Sequence, residues 1–190
     1  YFGIVPCLLF QLPFEALTGI QNLAYAPCMV VLGLLLLAAC FGVVGQAVRR
    51  WFPQTSAAAY LLAVAAVVLG SQLYYLLVRP YIYEYAILCG AALLMLGLWL
   101  WLSAASTPVE RRGAIATKLA FGSLFAALVA GCRPQMELFA FLAVPIFWQR
   151  YIGQKRLCSR AGAGEAAAFL LPVVLVAAGL MWYNYARHHR

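Results

Sequence analysis

Apolar side chains run in long blocks along this chain, and polar ones gather in the gaps between blocks. The period-two alternation of a half-buried strand does not organise them. A helix needs about 20 apolar residues to cross the hydrocarbon core of a bilayer. Six blocks reach or approach that length: 27–48, 57–78, 82–103, 116–131, 135–148 and 166–185. The pattern predicts an all-α fold, a polytopic membrane helix bundle of about six transmembrane helices forming a single transmembrane domain over 1–190. Residues 1–24 are also apolar but are broken by Pro6, Pro13 and Gly19. Proline inside a helix removes a hydrogen bond and clashes with the preceding turn. This stretch therefore reads as an outer-face re-entrant or interfacial segment, with a seventh span as the competing reading.

The polar gaps orient the blocks. With the Arg49–Arg50 end on the cytoplasmic side, Arg49, Arg50, Arg111, Arg112, Lys118, Arg150, Lys155, Arg156 and Arg160 are cytoplasmic. Arg79, Arg133, Arg187 and Arg190 fall on the opposite face, a bias of nine against four. Cytoplasmic loops of membrane proteins carry such an excess of Lys and Arg. Trp51, Trp101, Trp148 and Tyr151 then form a cytoplasmic aromatic belt. Tyr74, Tyr75, Tyr81, Tyr183 and Tyr185 form the outer one. The expected location is the plasma (inner) membrane, with multiple passes.

Composition narrows the classes further. The chain is 66% hydrophobic and 9% charged, whereas a soluble domain is about half apolar and about a quarter charged. The net charge of +8 is spread over loops between spans, which argues against nucleic acid as a partner. No basic n-region precedes an apolar stretch, so no signal peptide is read. Because the first residue is Tyr1 and the end follows a span directly, the expectation is a piece of a longer multi-span protein or a truncated gene product. Cys7, Cys28, Cys40, Cys89, Cys132 and Cys158 show no CxxC spacing and read as small apolar helix residues. "AGAGE" at 161–165 lacks the Lys-Ser/Thr of a phosphate-binding loop and reads as a linker.

Candidate chemistry is sparse. There is no aspartate, and the histidines are His188 and His189. A Ser-His-Asp triad and an HExxH zinc helix are thereby excluded, and neither a metal nor a cofactor is expected. Glu110 and Glu165 read as solvated cytoplasmic loop residues. Glu15, Glu84 and Glu137 share the outer face with Arg79, Arg133 and Arg187. Charges near mid-membrane cost several kcal/mol and so face a cavity or each other.

The stretch "GCRPQMELF" at 131–139 concentrates this chemistry. Residues 116–148 are 33 in number and cross twice. Each crossing has about 16 residues, roughly 24 Å as α-helix, against a core of about 30 Å. The Arg133–Pro134 turn is therefore expected below the outer interface, lining a cavity. Arg133 beside a helix N-terminus makes a candidate anion site. Three readings stand: Arg133 pairs with Glu137 to close the hairpin, binds phosphate or carboxylate, or snorkels to headgroups. "RPYIYEYAI" at 79–87 repeats the design, with Glu84 in a first helical turn. Glu84 is either a catalytic or substrate-binding carboxylate or a complement to the helix dipole. Tyr81, Tyr83 and Tyr85 read as interface anchors. In "MWYNYAR" at 181–187, Asn184 and Arg187 reach the same face.

The order of these features is an apolar outer segment with Pro-Phe, paired arginines, Arg-Pro, a carboxylate at a helix start, a hairpin with a basic turn and "WYNYAR". In this order the chain resembles the GT-C superfamily of integral-membrane glycosyltransferases, especially those like glycosyltransferase family 39. The resemblance implies a lipid-linked sugar donor on polyprenyl phosphate, an outer-face active site and contact with membrane lipid. It implies a principal catalytic carboxylate in an outer loop before Tyr1. Glu84 matches a second acidic position, where the family more often has aspartate. Arg133 matches the basic residue of the hairpin turn. The implied site comprises Glu84 as the catalytic candidate, with Arg79, Arg133, Glu137, Asn184 and Arg187 binding substrate. A multi-span transporter or flippase and a non-catalytic membrane subunit are the alternatives. Sugar, acceptor and oligomeric state are not legible.

Overall fold

A computed structural model describes residues 3–19, 25–148, 151 and 159–188. Arg150, Lys155, Arg156, Cys158, His189 and Arg190 lie outside these residues, as does part of the 1–24 segment. The described residues are mostly helical, and no strand occurs among them. A π-helical turn, Cys7–Gln11, leads into α1 (Leu12–Thr18), which Gly19 closes in the left-handed region at φ 69°. There follow α2 (Tyr25–Trp51), α3 (Ala57–Gly70), α4 (Leu73–Val78), α5 (Ile82–Ser106) and α6 (Arg112–Ala130). A 3₁₀ helix (Pro134–Leu142), α7 (Ala143–Phe147) and α8 (Arg160–His188) complete the chain.

Four of these helices are long and apolar enough to cross a membrane: α2, α5, α6 and the 162–188 part of α8. Two of the six apolar blocks are not continuous α-helix. The 57–78 block starts cleanly, with the Ser56 hydroxyl accepting from the Ala59 amide at 3.3 Å. It then breaks at Ser71–Gln72, where Gln72 has φ 55°. The Ser71 hydroxyl donates to the Val68 carbonyl at 2.6 Å, offering the backbone an alternative to helix continuation. The 135–148 block is mostly 3₁₀ helix. At about 2.0 Å per residue, against about 1.5 Å for α-helix, this geometry carries a short segment further. Nine such residues followed by the five of α7 span roughly 25 Å, close to the roughly 30 Å of a hydrocarbon core. "AGAGE" is not a linker, because 161–165 lies inside α8.

Helix α5 is the centre of the bundle and packs along α2 on one side and α6 on the other. Its buried positions run along nearly its whole length, from Tyr85 to Ala104. Small residues let α5 and α6 approach closely. A Cβ added at Gly122 would stand 2.6 Å from the Trp101 indole, so glycine is what admits that ring. Trp101 is 1% exposed and not part of an interfacial belt. Its Nε1 donates to Ser123 Oγ at 3.3 Å, and its ring meets Phe147 at 6.3 Å and Phe169 at 5.5 Å. Trp51 and Trp148, by contrast, are more than half exposed, as an interfacial belt requires.

Helix α8 lies at the periphery. It packs on α6 and leaves Leu170, Leu171, Val174, Leu175 and Trp182 exposed. The two helices run parallel, since Phe169 and Leu119 line one cavity while Leu180 lies 3.2 Å from a Cβ position at Gly131. Glu165 is not solvated either. It is 3% exposed and accepts a hydrogen bond from the Tyr151 hydroxyl at 2.5 Å, beside a mainly apolar cavity of about 290 Å³.

Candidate functional site

The bundle has two ends. Arg49 and Arg50, the end of α5 and the start of α6 share one of them. The start of α5, the turn after α6 and the N-terminal segment share the other. At this second end the Val5 amide donates to the Gly131 carbonyl at 3.3 Å. Gly3 lies so close to the Gly131 backbone that no Cβ fits between them. The Tyr85 hydroxyl donates to the Pro6 carbonyl at 2.8 Å. Residues 3–6 therefore lie across the turn that carries Arg133.

Tyr85 is 1% exposed and packs on Tyr25 at 5.3 Å. It is a buried clamp for the N-terminal segment, in place of the interface anchor its sequence context suggests. Tyr85→Phe should cost about 1 kcal/mol, the usual worth of one net hydrogen bond. The expected readout is faster proteolysis within residues 3–19, with the unfolding midpoint of the whole chain nearly unchanged.

Arg133 follows the end of α6, its amide donating to the Val129 carbonyl at 2.9 Å. Its guanidinium lies 5.2 Å from the centre of the Tyr83 ring, a cation–π contact with the first turn of α5. Tyr83 thus holds Arg133 as well as facing outward. Arg133 and Glu137 form no ion pair among the described residues. That pairing assumed α-helical spacing, in which residues four apart are neighbours. In the 3₁₀ helix residues three apart eclipse, and a fourth step turns about 120° away. Glu137 is half-buried, with Oε2 enclosed and without a hydrogen-bond partner among the described residues. A buried carboxylate oxygen left unbonded costs about 1–3 kcal/mol or more.

Glu84 sits half-buried in the first turn of α5, one residue beyond the ring that Arg133 covers. Helix α5 has no side-chain N-cap, so this carboxylate also complements the positive helix end. Met136 and Cys132 pack against α5 at Gly90, which keeps the 3₁₀ segment against the Glu84 end of that helix. Glu84, Arg133 and Glu137 are thereby brought to one end of the bundle. Arg79 is held separately. Its Nη1 donates to the Tyr75 hydroxyl at 3.2 Å and its guanidinium lies 5.0 Å from that ring. Asn184 and Arg187 are exposed in the last turns of α8. They follow Leu180, which marks the level of Gly131, so they lie at the same end but on its rim.

The residues that sequence reasoning missed are aromatic: Tyr83 as a support for Arg133 and Tyr85 as the clamp. The only signal was the Tyr-x-Tyr-x-Tyr spacing at 81–85, which does not distinguish an outward ring from an inward one. No three His, Cys, Asp or Glu side chains converge as a metal site among the described residues. No family model, curated protein or solved structure matches this chain.

Proposed function

We propose that this chain is the multi-pass membrane core of a GT-C-type glycosyltransferase that uses a polyprenyl-phosphate sugar donor at the outer face of the plasma membrane. One observation carries the reading. A half-buried arginine steadied by Tyr83 stands at the same bundle end as two half-buried glutamates, beneath an N-terminal segment that covers the turn.

In this reading a donor enters laterally from the lipid and its phosphate meets Arg133. Arginine's planar fork suits phosphate bidentately. The bond between the sugar's anomeric carbon and the phosphate oxygen breaks, and the leaving lipid phosphate gains negative charge. A cation already placed there stabilises that charge. The acceptor hydroxyl attacks the anomeric carbon and loses its proton to a carboxylate base, which the resemblance puts outside this chain, while Glu84 orients donor or acceptor. Glu137 accepts from a sugar hydroxyl, and Arg79, Asn184 and Arg187 contact the carrier lipid at the rim.

The test is to incubate the purified protein, reconstituted in lipid, with a polyprenyl-phosphate sugar labelled in the sugar. Release of free polyprenyl phosphate with label on a second molecule is the expected result. Movement of intact donor across the bilayer without cleavage would replace this reading with a flippase.

A further inference from the structure

At the opposite end of the bundle, a cavity of about 620 Å³ opens between the last turns of α2 and α5 and the first turns of α6. That volume lies within the roughly 300–1,000 Å³ of small-molecule sites. Four cations line it: Arg49, Arg50, Arg111 and Lys118. No carboxylate does. The chain can hardly supply one, because it has no aspartate and only five glutamates. Glu15, Glu84 and Glu137 belong to the far end, and Glu165 is held by Tyr151. Glu110, in the neighbouring loop, is exposed and does not line the cavity.

Two of the four cations are held in place. Lys118 Nζ donates to Thr107 Oγ1 at 2.9 Å, and Thr107 Oγ1 donates in turn to the Ser103 carbonyl at 2.7 Å. The Arg50 guanidinium lies 5.4 Å from the centre of the Trp51 ring. Its Nη1 is buried without an acceptor among the described residues. A buried charged donor is expected to have a partner. Helix α6 adds its positive end, for no side chain caps its first turn and Ala114 of that turn lines the cavity.

We infer that this cavity binds a phosphate group. The three guanidiniums offer the bidentate geometry phosphate prefers, and basic pockets between helix ends are where anionic headgroups dock. Two sources share this chemistry, the headgroup of an anionic phospholipid and free phosphate. The site is at the other end of the bundle from Arg133 and is independent of the glycosyltransferase reading. A generic positive-inside surface needs only net charge, whereas this one has a cavity, an unbonded buried donor and an uncapped helix.

The test is the unfolding midpoint of the purified chain in neutral detergent. Phosphatidylglycerol, phosphatidylcholine or sodium phosphate is titrated in at constant ionic strength. Phosphatidylglycerol is expected to raise the midpoint and phosphatidylcholine to leave it unchanged. A rise with sodium phosphate as well assigns the site to the phosphate group whatever carries it. A rise with the lipid alone assigns it to the headgroup. Arg111→Gln with Lys118→Gln should weaken the apparent affinity roughly thirtyfold, about fivefold per charge removed. Arg112→Gln, an equal loss of charge outside the cavity, should weaken it less than about twofold. Should the double variant fail to fold, exposed Arg111→Gln alone serves against Arg112→Gln. Equal effects of Arg111→Gln and Arg112→Gln, or no response to either phosphate source, overturn the proposal.

Discussion

On the proposed glycosyltransferase reading, Arg133→Ala should lower sugar transfer roughly 100- to 1,000-fold, the usual cost of removing one group aimed at developing charge, while the protein remains in the membrane. Arg133 is half-buried over Tyr83, so its loss removes a cation placed before the reaction begins. The effect should fall on kcat more than on KM, because the phosphate carries more charge as it leaves than when it binds. Arg133→Lys should recover part of the rate, since the charge returns without the planar fork. The measurement is steady-state transfer from a polyprenyl-phosphate sugar, with membrane abundance quantified alongside. Undiminished turnover in Arg133→Ala would end the phosphate role and leave Arg133 a structural residue.

The largest effect on stability should come from Trp101→Ala, at about 3–5 kcal/mol. Trp101 touches α6 through Gly122 and Ser123, α7 through Phe147 and α8 through Phe169. One side chain therefore joins four helices. In a bilayer, helices gain little from hydrophobic transfer, because lipid tails are as apolar as the side chains. Close packing and hydrogen bonds must hold them together, and Trp101 supplies both. Unfolding titrations in mixed micelles give the comparison. Trp51→Ala removes the same ring from a position that is 54% exposed and should stay within about 0.5 kcal/mol of the parent. Equal losses from the two substitutions would show that burial in this bundle is not what stabilises it.

Several features were legible in the residue order. The α2, α5, α6 and α8 helices follow from block length, since 3.6 residues per turn and a fixed core thickness leave one economical solution. The placement of Glu84 in a first turn follows from Arg79–Pro80 ahead of it, because proline ends a helix and releases the chain to begin another. Other features were not. The 135–148 block has the apolar content of an α-helix, and nothing local requires it to become 3₁₀. That change in rise and twist also separates Arg133 from Glu137, so a pair suggested by spacing is not formed.

Tyr85, Trp101 and Glu165 share a reason for being misread. Each lies at a position where its type usually marks a water interface, and each is buried because a particular neighbour bonds its polar atom: the Pro6 carbonyl accepts from Tyr85, Ser123 Oγ accepts from Trp101, and the Tyr151 hydroxyl donates to Glu165. Those partners are 79, 22 and 14 residues away in the chain. By itself the sequence determined that the chain is α-helical, that its long helices are apolar enough for a bilayer and that its acids are few. Composition and block length act locally and survive any arrangement of the blocks. Only the tertiary structure decided that Arg133 turns to Tyr83, that Glu137 keeps an oxygen unbonded among the described residues, and that four cations share one cavity. Such meetings depend on which helix ends lie together and at what rotation, and no run of neighbouring residues encodes either.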